Sequence, residues 1–228
     1  MKGSAMTAQE ILARVDHTLL RADARWADIR KLCEEAVRFR TASVCIPSVF
    51  VRRAHEAFPY LPVCTVVGFP LGNANLSAKT AETKQAVSDG ASEIDMVISI
   101  GALKDGDTAY VTEEIRAVKA AAEGRIVKVI IETCYLTEEE KIAACRCCTE
   151  GGADFIKTST GFGPAGAALS DIALFRAHIG PNVSIKAAGG IRTREDMEAF
   201  LAAGASRIGA SSAVRVLAEE IEKSKAEQ

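Results

Sequence analysis

Gly90-Ala91-Ser92-Glu93-Ile94, Gly152-Ala153-Asp154-Phe155-Ile156 and Gly204-Ala205-Ser206-Arg207-Ile208 are three copies of one short phrase. In each, a helical stretch ends on Gly, a small Ala follows, and an apolar run begins. Glycine suits the left-handed position just past a helix C-terminus. The small Ala lets a strand start close beneath the helix it follows. The phrase reads as the αβ junction of a repeated unit.

Outward from these junctions, apolar and β-branched runs predict eight strands. They lie near Ala13–His17, Ala42–Ile46, Val63–Val67, Glu93–Ile98, Ile126–Glu132, Asp154–Thr158, Val183–Ala187 and Arg207–Ala210. Helical patterns fill the gaps. Ile29, Leu32, Cys33, Ala36 and Val37 recur along one helix face, as do Val111, Ile115 and Val118. Thr137-x-x-Glu140 is a capping box, and Thr193 is placed to cap the helix carrying Met197, Phe200 and Leu201. Eight strands alternating with helices over 228 residues predict an α/β protein, a single (β/α)8 TIM barrel spanning residues 1–228. A doubly wound open sheet is the runner-up, and the missing G-x-G-x-x-G after the first strand counts against its dinucleotide-binding form. Met1-Lys2-Gly3-Ser4-Ala5 reads as an appended leader before a second start at Met6, and residues 222–228 as a mobile charged tail.

The composition excludes several functions. A net charge of -2 and the absence of long basic runs argue against nucleic acid or an anionic membrane as the main partner. The run Glu138-Glu139-Glu140-Lys141 reads as a solvated first helical turn. No apolar stretch approaches the ~20 residues that span a bilayer, and no signal-peptide pattern opens the chain. Seven cysteines at irregular spacing predict reduced thiols and a cytoplasmic protein. Cys145-Arg146-Cys147-Cys148 contains a C-x-x-C, but no second pair or nearby His completes a zinc set. These thiols read as structural, and no metal site is expected. His17 is expected to point away from the barrel interior, His55 and His178 to lie on helix surfaces, and Cys45 to fill the core.

Barrel enzymes gather their chemistry at the C-terminal ends of the strands. Read strand by strand, those positions are Asp16 with Thr18, Cys45, Gly68, Asp95, Glu132, Lys157, Lys186, and Gly209 with Ser211 and Ser212. Lys157 and Lys186 stand inside otherwise apolar strands on neighbouring units. Burial and a second cation both lower an ammonium pKa from its ordinary ~10.4, which would free an amine for nucleophilic attack on a carbonyl. The same two lysines could instead form buried ion pairs with Asp95 or Glu132, and spacing alone does not choose. Asp95 is a candidate proton shuttle or a structural counter-ion. Asp16 and Thr18 are candidates for a substrate hydroxyl, with a strand-end turn as the alternative for Asp16. Gly189-Gly190 after strand 7, Ser211-Ser212 at the start of the last helix, and Gly161 after strand 6 suit an anion such as phosphate. Ser211 or Ser212 would equally serve as a plain helix cap.

The chain resembles the deoxyribose-phosphate aldolases at Asp16-His17-Thr18-Leu19, Val67-Gly68-Phe69-Pro70-Leu71-Gly72, Glu93-Ile94-Asp95-Met96-Val97, Phe155-Ile156-Lys157-Thr158-Ser159-Thr160-Gly161 and Ile185-Lys186-Ala187-Ala188-Gly189-Gly190-Ile191-Arg192-Thr193. The resemblance implies reversible cleavage of 2-deoxy-D-ribose 5-phosphate to acetaldehyde and D-glyceraldehyde 3-phosphate. It implies a Schiff base on Lys157, a pKa-depressing role for Lys186, and proton transfer by Asp95 with a water. It places Asp16 and Thr18 near substrate hydroxyls, and Gly161, Gly189, Gly190, Ser211 and Ser212 at the phosphate. No metal or organic cofactor is implied. A phosphorylated sugar is the implied ligand, a homodimer or homotetramer the implied assembly, and deoxyribonucleotide breakdown the implied setting. Some relatives end in an active-site tyrosine, whereas the tyrosines here are at 60, 110 and 135. Proton exchange is therefore expected to rely on Asp95 and water. Two other readings remain open at this point: a phosphosugar isomerase or epimerase on the same barrel, and a catalytically silent phospho-ligand sensor.

Overall fold

The computed structural model describes residues 6–226; the expected leader at residues 1–5 lies outside them, as do the last two residues of the expected tail. In chain order the elements are α1 (Ala8–Leu12), β1 (Val15–Thr18), α2 (Trp26–Phe39), β2 (Ser43–Ile46), α3 (Val51–Ala57), β3 (Val63–Val67), α4 (Leu76–Ser88), β4 (Glu93–Val97), α5 (Ile100–Lys104), α6 (Thr108–Ala121), β5 (Ile126–Ile130), α7 (Glu138–Gly151), β6 (Phe155–Lys157), α8 (Leu169–His178), β7 (Ser184–Ala188), α9 (Arg194–Ala203), β8 (Arg207–Ala210) and α10 (Ala213–Ala226). The eight strands are parallel and close in sequence order, β8 pairing back onto β1. This is the predicted (β/α)8 barrel, and the open-sheet alternative is excluded by the closure.

Local chemistry explains the repeat. Gly152 and Gly204 close α7 and α9 in the left-handed conformation, at φ of 77° and 119°. Gly90, at φ 101°, takes the same role one residue past the cap of α4. Ala91, Ala153 and Ala205 are then buried where each strand passes under its helix. Thr137 caps α7 through the expected reciprocal bonds with Glu140, and Thr193 does so for α9 with Asp196.

The apolar core lies between the sheet and the helices. Ile29, Leu32, Cys33 and Ala36 of α2, Val111, Ile115 and Val118 of α6, and Met197, Phe200 and Leu201 of α9 all face it, whereas Val37, expected on the same face of α2, is exposed. Each large apolar side chain buried there contributes about 1.5–3 kcal/mol. Cys145, Cys147 and Cys148 are buried on α7, and burial pushes the Cys145 thiol up to about 12. His17 turns outward and hydrogen-bonds Glu35 of α2 at 2.8 Å. His55 and His178 are exposed on α3 and α8. Among the described residues no helix is long and apolar enough to cross a membrane. The segment expected to be a mobile tail is helical in α10 as far as Ala226.

Candidate active site

A cleft of about 560 Å³ opens at the C-terminal end of the barrel. Seven of the ten residues singled out from sequence line it: Thr18, Lys157, Gly161, Gly189, Gly190, Ser211 and Ser212. They come from the ends of β1, β6 and β7, from the loop after β6, and from the turn between β8 and α10. Closure of the barrel is what makes β1, β8, β7 and β6 neighbours.

The other three, Asp16, Asp95 and Lys186, lie below the cleft floor with no exposed surface. Asp95 stands in the middle of β4, level with Lys128 of β5. Its Oδ2 accepts from Lys157 Nζ and from Lys186 Nζ, both at 2.7 Å, and its Oδ1 accepts from Lys128 Nζ at 2.8 Å. Asp16 accepts from Lys186 through Oδ2, and from Ser43 Oγ and Arg207 through Oδ1. Lys128 also meets Glu93 at 2.6 Å, and Arg207 meets Glu93 at 3.1 Å. The barrel interior thus holds four cations, Lys128, Lys157, Lys186 and Arg207, among three carboxylates, Asp16, Glu93 and Asp95.

Three sequence expectations change here. Asp16 was expected beside substrate hydroxyls at a strand end. Because β1 starts at Val15, Asp16 is instead two residues below the mouth, with both oxygens engaged by interior partners. Thr18 occupies the strand end and lines the cleft. Lys186 was expected to be a cation disfavoured by burial and its neighbour. Burial does push its pKa down, but Asp16 and Asp95 outweigh it and raise the pKa above the ordinary lysine value. Glu132, a candidate counter-ion for the lysines, contacts neither and turns toward Thr160.

The anion around which the lysines gather is firmly ionised. Burial pushes the Asp95 carboxyl up, yet Lys128, Lys157 and Lys186 together hold it well below the usual carboxylate range. Cys64 Sγ donates to Asp95 Oδ1 at 3.1 Å. With Cys45, these two groups form the one metal-like donor cluster among the described residues. A metal ion does not fit there, because Lys128 Nζ already lies 3.3 Å from Cys64 and 2.8 Å from Asp95 and would repel it.

Sequence reasoning missed Lys128, Arg207 and the arginines of the rim. Lys128 carried the signal that exposed its neighbours, a lysine inside the apolar run Ile126-Val127-Lys128-Val129-Ile130. Arg21, Arg192 and Arg215 line the cleft near the glycines and serines, and they give that side a positive character. Gly161, Gly190, Ser211 and Ser212 present backbone N–H groups with no protein acceptor among the described residues. Ser211 and Ser212 immediately precede the 14-residue helix α10, whose N-terminus favours an anion.

With eight parallel strands closed into a barrel and a cleft at their C-terminal ends, the chain is a (β/α)8-barrel protein. The family model for the DeoC/LacD family aldolases matches residues 10–218, and the chain belongs to that family. A deoxyribose-phosphate aldolase of Clostridium botulinum (strain Alaska E43 / Type E3) is 57% identical over 94% of this chain and 98% of its own length. One of Bacillus cereus (strain AH187) is 53% identical over 89% of this chain and 92% of its own. The solved structure of the tetrameric deoxyribose phosphate aldolase from Aeropyrum pernix superposes with a TM-score of 0.87 at 30% identity, covering 95% of this chain and 93% of that one.

Proposed function

We propose that this chain is a class I aldolase, a lyase that reversibly cleaves 2-deoxy-D-ribose 5-phosphate to acetaldehyde and D-glyceraldehyde 3-phosphate through a Schiff base on Lys157. The observation that carries the reading is that, among the described residues, Lys157 is the one lysine lining the cleft, and it stands directly above the buried Asp95. Lys128 and Lys186 are each held by two or more carboxylates, whereas Lys157 meets only one. With a single carboxylate partner and an open cleft above it, Lys157 is the amine placed to turn to substrate.

The chemistry follows from that placement. The Lys157 amine adds to the C1 aldehyde of the open-chain sugar, and loss of water gives a protonated imine. The C3 hydroxyl loses its proton, the C2–C3 bond breaks, and the bond pair flows into the imine to form an enamine. Glyceraldehyde 3-phosphate departs. Protonation of the enamine at C2 and hydrolysis release acetaldehyde and restore the amine. Asp95, ionised and bonded to Lys157, passes protons with the help of water. Lys186, held cationic by Asp16 and Asp95, keeps a positive charge beside the Lys157 nitrogen. Thr18, at the β1 end, faces the sugar hydroxyls.

Gly161, Gly189, Gly190, Ser211 and Ser212 receive the 5-phosphate, with Arg21, Arg192 and Arg215 drawing the dianion in. No organic cofactor or metal is required, because the protonated imine is itself the electron sink. Seven free cysteines support a reducing, cytoplasmic setting. The Aeropyrum pernix relative is tetrameric, which supports a homo-oligomer for this chain.

The test is to incubate the protein with acetaldehyde, reduce with borohydride and map the adduct by peptide mass spectrometry. An ethyl group on Lys157, absent from Lys157→Leu, is expected. Cleavage by Lys157→Leu should fall by at least about a thousandfold, with inorganic phosphate still binding. No adduct under conditions that trap a control aldolase would return Lys157 to the ion network and favour an isomerase or a sensor.

A further inference from the structure

Glu132 has no part in the chemistry above, yet the backbone is bent to place it. Ile131 N–H donates to Lys157 O at 3.1 Å, and Thr133 N–H donates to Thr158 O at 3.0 Å. Donors two residues apart after β5 therefore meet carbonyls one residue apart at the end of β6. Glu132 is the extra residue of a bulge, in the left-handed region at φ 52° and ψ 68°. That turn points its side chain sideways under the loop that follows Lys157.

The carboxylate is 2% exposed and bound by that loop. Thr160 N–H lies 3.2 and 3.3 Å from its two oxygens, and Thr160 Oγ1–H donates to Oε2. Thr160 Oγ1 in turn accepts from Phe162 N–H at 3.0 Å. A Cβ on Gly163 would come within 2.9 Å of Cys134 Sγ and 3.2 Å of the Glu132 carboxyl carbon, so the loop passes close above both. Between the two tethered amides, those of Thr160 and Phe162, Gly161 N–H has no protein acceptor among the described residues, and Gly161 lines the cleft. A Cβ on Gly161 would lie 4.0 Å from Gly189 Cα, so the β6 and β7 loops meet there.

We propose that Glu132 is a positioning residue that aims the Gly161 amide at the substrate phosphate by tethering Thr160. The proposal rests on the aldolase reading for the identity of the substrate. A carboxylate suits this place because Thr160 offers it only donors. In Glu132→Gln one of the two acceptor oxygens becomes an NH2, so a donor faces the Thr160 N–H from one side and the tether weakens.

The experiment compares wild type, Glu132→Gln and Thr160→Val, the last keeping the Thr160 N–H and removing only the hydroxyl. Two readouts are taken: the dissociation constant for inorganic phosphate by calorimetry, and the ratio of kcat/KM for 2-deoxyribose 5-phosphate to that for 2-deoxyribose. Phosphate binding and the ratio should each fall about tenfold in Glu132→Gln and less in Thr160→Val, the size of one misplaced buried hydrogen bond. A merely structural role would lower both sugars' kcat/KM equally and leave the ratio intact, which would overturn the proposal. Unchanged phosphate binding in a folded Thr160→Val would also overturn it, even if Glu132→Gln failed to fold. If wild type traps no acetaldehyde on Lys157 while phosphate binding still falls in the variants, the aldolase reading fails and the positioning role stands.

Discussion

Lys79 and Lys128 are both without exposed surface, yet they sit in different electrical surroundings. Lys79, on α4, donates to Glu114 Oε2 of α6 at 2.6 Å and to Val97 O at the end of β4 at 2.8 Å. The other oxygen of Glu114 accepts from Ser99 N–H at 2.6 Å. One cation meets one anion, and the pair joins two helices to the mouth of β4. Lys128, inside the barrel, belongs to a cluster in which cations outnumber carboxylates and Lys157 and Lys186 share one oxygen of Asp95. The balanced pair can only hold the frame. The unbalanced cluster leaves Lys157 with one carboxylate partner at the floor of an open cleft, and the proposed Schiff base rests on that amine.

The sharpest way to break this contrast is Asp95→Asn. It removes the anion that three lysines share, so cleavage should fall at least about a hundredfold through lost proton transfer. Stability should fall by about 3–5 kcal/mol, because buried charge is left uncompensated. Steady-state kinetics and urea unfolding measure the two together. A variant that is destabilised but keeps near-normal kcat would make the cluster a frame like the other pair.

Lys79→Met should cost a similar about 3–5 kcal/mol, with the carboxylate of Glu114 stranded. Its kcat should change less than about threefold, because the pair makes no contact with the cleft. The double variant Lys79→Met/Glu114→Leu should recover most of the stability, as replacing a whole buried pair by apolar side chains is often neutral or better. A large loss of kcat in the folded double variant would erase the distinction between the two sites.

The smallest effect is one of sign. Burial pushes Asp16 and Asp95 up, but neighbouring lysines hold both below the usual range. Their contribution to stability is present above about pH 4 and is lost as the pH falls through their lowered folded values. Burial raises Glu114 more than Lys79 lowers it. The fold therefore favours its protonated form, and that contribution is lost as the pH rises from the ordinary carboxylate value through the raised one. Urea unfolding from pH 7 down to pH 3 should show a flatter acid loss in Asp95→Asn and a steeper one in Glu114→Gln than in wild type. Parallel curves for all three proteins would show that the two sites titrate alike.

Much of the barrel was legible before any coordinates. The predicted strands fall within two residues of the observed ones, because apolar, β-branched runs and the Gly-Ala junctions are local signals. Seven site residues were placed on the cleft because a strand end in a barrel is also a mouth position. Asp16 was read too shallow, since the sequence marks its strand's apolar run but not where pairing with β2 and β8 begins. Lys128 interrupts an apolar run and Arg207 opens one, but neither stands at the C-terminal end of its strand, where barrel chemistry is sought. Glu132 left no local signal of its role, because a left-handed turn at a glutamate has no compositional mark.

From the chain's own pattern come the repeating unit, the class of fold, most of each buried helix face and the position of Lys157 at a strand end. These follow from side-chain direction, which a local backbone period sets. Only the tertiary structure decided which charge answers which. Arg207 reaches Asp16 across 191 residues of chain and Lys186 reaches it across 170. Such pairing depends on distances through space that exist only once β8 has closed on β1. Closure is also what gathers four cations around three carboxylates and leaves Lys157 least encumbered under the cleft.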